Sequence, residues 1–185
     1  MEDLGADAVI AVNCNAGGHA GKLKPKEIIP LLNKYCNIPV ISAGGIGTKA
    51  GIDKIMNLGA SGLSIGSPFI ACKEAHISQE YKQACVDYGK KDIVFTTKIS
   101  GTPCTVINTP YVQKIGTTQN CLERLMSKSK KIKKWVKIIT LWKGMKALEK
   151  ASFSSTYKTV WCAGPSIEHT KEILTVKEII KRFTT

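Results

Sequence analysis

The chain has 185 residues, 43% of them hydrophobic, and a formal net charge of +13. That is enough chain for one compact domain with a buried core, and it excludes a disordered, fibrous or collagen-like protein. No apolar run approaches the roughly 20 residues of a membrane span, and Met1–Gly5 has neither a basic n-region nor an apolar h-region, so no membrane partner, no secretory signal and a cytoplasmic location are expected.

Ala8–Val12 is a short apolar run that reads as a strand and leads into a glycine-bearing loop, Ala16–Gly21. A helical pattern follows, with Ile28, Ile29, Leu31, Leu32 and Tyr35 apolar; Pro30 leaves its start undefined. Ile38–Ala43 reads as a second strand and ends in Gly44-Gly45. Thr48 is the expected N-cap of a helix that carries Ile52, Ile55 and Met56 and stops at Gly59. Leu63–Gly66 reads as a third strand. Ser67-Pro68 then presents an N-cap followed by proline at the first helical position, and a helix with Tyr81, Ala84 and Cys85 ends at Gly89.

Strand, loop and helix repeated at this spacing predict a parallel sheet of βαβ units, with strands buried on both faces because they lack alternation. Three units are visible. A closed barrel of eight needs about 250 residues, so a barrel sequence of this length is only the last part of one. After Gly89 the pattern changes. Ile93–Thr97 and Thr105–Ile107 read as short extended segments, Ser129–Lys150 as a helix and Val176–Phe183 as a terminal helix. Eleven Lys/Arg fall between Lys114 and Lys150 against only Glu123 and Glu149, so nine of the thirteen net charges lie there. Ile132, Trp135, Val136, Ile139 and Trp142 form one stripe of the predicted basic helix. Such a helix suits nucleic acid, an anionic membrane, or packing of its stripe on the protein body; the last is the default. The composition therefore divides the chain into residues 1–90, of βα units, and 91–185, basic and mostly helical.

Glycines follow each strand: Gly17 and Gly18, Gly44 and Gly45, Gly66 beside Ser67. In parallel α/β folds ligands sit at the carboxyl ends of strands, where glycine lets backbone N–H groups approach an anion. In barrels the loops after the last strands form phosphate sites, and Gly44, Gly45, Gly66 and Ser67 fit that arrangement. The alternative is that these glycines only make tight turns. His19 is the one histidine in a glycine loop after a strand, where an imidazole can exchange a proton near neutral pH; the alternative is a surface histidine. The seven cysteines form no C-x-x-C pair, so no zinc site and no redox pair are indicated and reduced, buried thiols are expected.

Asn15-Ala16-Gly17-Gly18-His19-Ala20-Gly21, Ile38–Ile46, Leu58–Gly62, Gly66-Ser67-Pro68-Phe69, Ser100–Pro103 and Trp161–Ser166, in this order, resemble the C-terminal half of the nitronate monooxygenase (2-nitropropane dioxygenase) family. The FMN-dependent enoyl-acyl-carrier-protein reductases share these motifs. The resemblance implies an α/β fold, the C-terminal part of a TIM (β/α)8 barrel with an appended mostly helical region. It implies FMN as cofactor and no metal. His19 matches the active-site histidine. Gly17 and Gly18 match residues that line the flavin, while Ala43, Gly44 and Gly45, with Ser64, Ile65, Gly66 and Ser67, match the cradle of the FMN phosphate. The implied reaction is oxidation of an alkyl nitronate by O2 to a carbonyl compound and nitrite, with small molecules and no nucleic acid as partners.

Val12, Asn15 and Thr102 stand where many relatives have Gln or Glu, an acidic residue and an arginine; Val12 loses a polar contact to the flavin, and Asn15 and Thr102 shift the expected substrate choice. Three strands of eight leave open edges, so a missing N-terminal half or a second copy is an expected partner. The rival readings are an enoyl reductase using a reduced nicotinamide, a non-catalytic basic binding module, and a non-functional remnant.

Overall fold

The computed structural model describes residues 2–99, 102–119, 142 and 160–184. The first layer is a parallel sheet of β1 (Val9–Val12), β3 (Val40–Ala43) and β4 (Gly62–Ser64) in chain order, with β3 in the middle. Val9 pairs with Val40 and Val12 with Ala43; Ile41 pairs with Gly62 and Ala43 with Ser64. Two helices cover one face, α1 (Pro25–Tyr35) after β1 and α2 (Lys49–Met56) after β3. Ala11 and Val40 pack there against Ile29 of α1 and Ile55 of α2, with Ile46 and Ala60.

The opposite face differs from the expectation of strands buried on both sides. Ile10 is 57% and Val12 38% exposed, because among the described residues the helices lie on the other face only. A strand that is hydrophobic on both sides is therefore covered on one.

α1 runs through Pro30 rather than being interrupted by it. Its first turn is set by Pro25 at the first helical position and by Glu27, whose carboxylate accepts the Lys24 N–H at 2.9 Å. Thr48 caps α2 as predicted, its hydroxyl accepting the Gly51 N–H at 3.1 Å. Ser67 differs by one position. It is the first residue of α3 (Ser67–Ile70), after Gly66 at the cap, because its hydroxyl is engaged elsewhere as described below. α4 (Gln79–Asp87) starts at Ser78, which accepts the Tyr81 N–H.

A second sheet of order β2-β6-β5 lies beyond. Gly18–His19, predicted as loop, forms the two-residue strand β2 and pairs antiparallel with β6 (Cys104–Ile107), which pairs with β5 (Ile93–Thr96). Cys162 makes a bridge opposite Val106 on the β2 side of β6. A short helix α5 (Pro110–Ile115) follows β6, and the chain ends in α6 (Val176–Thr184). Tyr81 and Trp161 stack at 5.6 Å with ring planes 9° apart, and Phe69 meets Phe183 edge-on at 6.1 Å. These pairs seat the 160–170 segment and α6 on the βα layer. Of the predicted basic helix only Trp142 falls among the described residues, where it is helical and exposed; the rest of Ser129–Lys150 lies outside them. No helix among the described residues is long and apolar enough to cross a membrane.

Candidate functional site

A cavity of about 310 Å³ opens at the carboxyl ends of β1, β3 and β4. Its walls bring together Gly17 and Gly18, Ala43, Gly44 and Gly45, and Ser64, Ile65, Gly66 and Ser67. Ala16, Ile46, Ile70, Cys162 and Ser166 complete them, and none of these five was singled out as a binding residue by sequence reasoning. His19 is not in the wall. It follows Gly18 directly, is exposed, and stands opposite Cys104 in the β2–β6 ladder.

Each wall loop is held by a polar group behind it. Asn13, fully buried just past β1, donates from Nδ2 to the Gly44 carbonyl at 3.0 Å and accepts the Asn15 N–H on Oδ1 at 2.8 Å. It thus ties the loop after β1 to the loop after β3. Thr105 of β6 donates from Oγ1 to the Ala16 carbonyl at 2.7 Å. Gly164 donates its N–H to Ser67 Oγ at 2.9 Å. Ser67 there acts as acceptor, which leaves its own hydroxyl hydrogen for a ligand in the cavity. None of these three ties was legible in the sequence; the only signal was a polar Asn13 directly after an apolar strand.

The wall glycines fall into two kinds. Gly44 has φ +111°, and a Cβ there would lie 2.5 Å from Ala16 N; a Cβ on Gly17 would lie 2.8 Å from both Ser67 Oγ and Gly164 N. Those glycines are required by the protein's own packing. Gly66 is different. Its φ is −121°, within reach of other residues, and a Cβ there would meet nothing within 4 Å. The space its missing side chain leaves belongs to the cavity.

Parallel strands in chain order, helices on one face and a glycine-walled cavity at their carboxyl ends define the class: part of a TIM-barrel-type α/β protein. The family model for nitronate monooxygenase matches residues 1–185, and the chain belongs to that family. It is 37% identical over 110 residues to the nitronate monooxygenase of Paraburkholderia phytofirmans, covering 55% of this chain and 30% of that protein. To the probable nitronate monooxygenase of Staphylococcus saprophyticus it is 35% identical over 125 residues, covering 62% and 35%. The match thus spans about a third of the length of these curated relatives. Among solved structures, FabK from Thermotoga maritima superposes with a TM-score of 0.78 at 28% identity, over 99% of this chain and 55% of that one. A nitroalkane oxidase from Streptomyces ansochromogenes gives 0.72 at 20% identity, over 99% and 52%, and shares the fold.

Proposed function

We propose that this chain carries the FMN-phosphate half of a nitronate monooxygenase. The observation that supports this most directly is Gly66, a glycine that neither backbone conformation nor protein contact requires, beside the donor Ser67 in a cavity of small-molecule size. The residues present fit a phosphate-bearing ligand. The backbone can approach it at Gly66, the Ser67 hydroxyl can donate to it, and Gly44 and Gly45 line the same cavity after the neighbouring strand. Bound there, FMN supplies the redox capacity for oxidation of an alkyl nitronate by O2 to a carbonyl compound and nitrite.

The protein's part is placement. Gly17 and Gly18 line the cavity and lead into His19, whose exposed imidazole stands one residue beyond the wall as the proton partner of the reaction. Asn13, Thr105 and Gly164 fix the three loops relative to one another.

The names of the curated relatives favour the monooxygenase. The enoyl-reductase reading rests on the motifs this chain shares with the FMN-dependent reductases, Ala16–Gly21, Ala43–Ile46 and Gly66–Phe69 among them. Nitrite release from a nitronate by the FMN-loaded full chain separates the two. Nitrite that falls strongly in His19→Ala is the expected result; oxidation of a reduced nicotinamide with an enoyl thioester and no nitrite would overturn it.

A further inference from the structure

We propose that Cys104 and Cys162 form a peroxide-sensitive dithiol in the wall of the cavity, closing to a disulfide when a hydroperoxide enters it. Their sulfurs are 3.6 Å apart. Cys162 lines the cavity, whereas Cys104 is buried behind it on β6.

The strand register sets this contact. Cys162 stands opposite Val106, and Cys104 lies two residues from Val106 along β6. Side chains two apart on a strand share a face, so the two thiols are diagonal neighbours across the ladder. The pair is 58 positions apart in sequence, which is why a search for closely spaced cysteines does not find it. Closure brings the sulfurs from 3.6 Å to the roughly 2.05 Å of an S–S bond.

The chemistry balances with one hydroperoxide. The S–H···S hydrogen bond from Cys162 holds the Cys104 thiol below its ordinary value, while the same bond and burial push the Cys162 thiol up, so Cys104 is the member that gives up its proton first. The Cys104 thiolate, 3.6 Å away, takes the Cys162 proton as the Cys162 sulfur, at the cavity, becomes the nucleophile. That sulfur attacks the hydroperoxide, the O–O bond breaks, and the departing oxygen takes up a proton and leaves as an alcohol, or as water from hydrogen peroxide. Cys162 is then a sulfenic acid. Cys104, deprotonated, attacks the Cys162 sulfur; the S–S bond forms, the S–O bond breaks, and the hydroxide leaves as water. Two thiols are oxidised and one hydroperoxide is reduced. Cys85 supplies an internal contrast, because burial pushes its thiol up to about 12 and it lies away from the cavity wall.

The test needs neither FMN nor turnover, so its outcome is independent of the proposed flavin reaction. The reduced full chain is treated with hydrogen peroxide, alkylated and digested with trypsin. The expected result is loss of both free thiols from peptides 99–114 and 159–171, their appearance as one linked peptide, recovery on adding dithiothreitol, and an alkylatable Cys85 throughout. In Cys104→Ser the expected result is a trapped sulfenic acid on Cys162. Oxidation of the surface-accessible Cys14 and Cys36 while Cys104 and Cys162 stay alkylatable would overturn the proposal. So would sulfinic acid on Cys162 with no linked peptide.

Discussion

Gly164 donates its N–H to the hydroxyl of Ser67 across 97 positions of sequence, at 2.9 Å, with both groups buried. This bond adds a polar tie between the segment after Trp161 and the loop after β4, where the stacking of Trp161 on Tyr81 already seats it. In Ser67→Ala the buried Gly164 N–H loses its acceptor, which costs about 1–3 kcal/mol. Urea denaturation of the full chain should show that loss. FMN affinity should fall about tenfold or more as the phosphate loses a donor.

Gly66 and Gly44 separate ligand from protein requirements. Gly66→Ala introduces a methyl that meets no protein atom and no forbidden φ, so stability should change by no more than about 0.5 kcal/mol while FMN affinity falls. Gly44→Ala places a methyl against Ala16 at φ +111° and should cost about 2 kcal/mol or more. Paired melting and flavin-titration curves check both. Equal stability losses in the two variants would contradict this account.

Asn13 is a positioning residue. Asn13→Ala leaves the part-buried Gly44 carbonyl and Asn15 N–H without their partner, and should cost about 1–3 kcal/mol. Asn13→Leu should do no better, since its bulk replaces the side chain but not its two bonds. Thermal unfolding of both variants checks the point. A Leu variant as stable as the parent would show that Asn13 serves only as filler.

The alkaline limit of stability follows from Cys85 and Tyr81. Burial pushes the Cys85 thiol from its ordinary 9.0 up to about 12 and moves the Tyr81 phenol in the same direction. A raised folded-state value means the folded chain prefers the neutral form. The stabilisation is complete below pH 9 and is lost as pH rises toward 12, by at most about 4 kcal/mol for the thiol. Cys85→Ala should flatten the fall in urea midpoint between pH 9 and 11. Parallel alkaline profiles for the two proteins would contradict it.

The βα units were legible because their signals are local. Apolar runs such as Val40–Ala43 and the cap Thr48 act within a few residues and appear where expected; the helix ends at Met56, three residues before Gly59, whose φ of +93° turns the chain. The glycines that converge on the cavity were legible because they lie in the loops after the strands, Gly44 and Gly45 directly after β3 and Gly66 just past β4. What was not legible depends on distant partners. Gly18–His19 becomes a strand only because β6 is there to pair with it. Ser67 yields the cap to Gly66 because Gly164 takes its hydroxyl. Cys104 meets Cys162 through a register that no spacing rule encodes.

The central claim is that the cavity between Gly44 and Ser67 holds the phosphate of FMN. The most direct test is a titration of FMN fluorescence with the full chain, repeated with Gly66→Leu, whose side chain fills the space beside Ser67. The account predicts saturable quenching by the parent chain, competition by inorganic phosphate, and loss of quenching in Gly66→Leu with the fold retained by circular dichroism. Unchanged FMN fluorescence with the folded parent chain, or equal binding by Gly66→Leu, would contradict it.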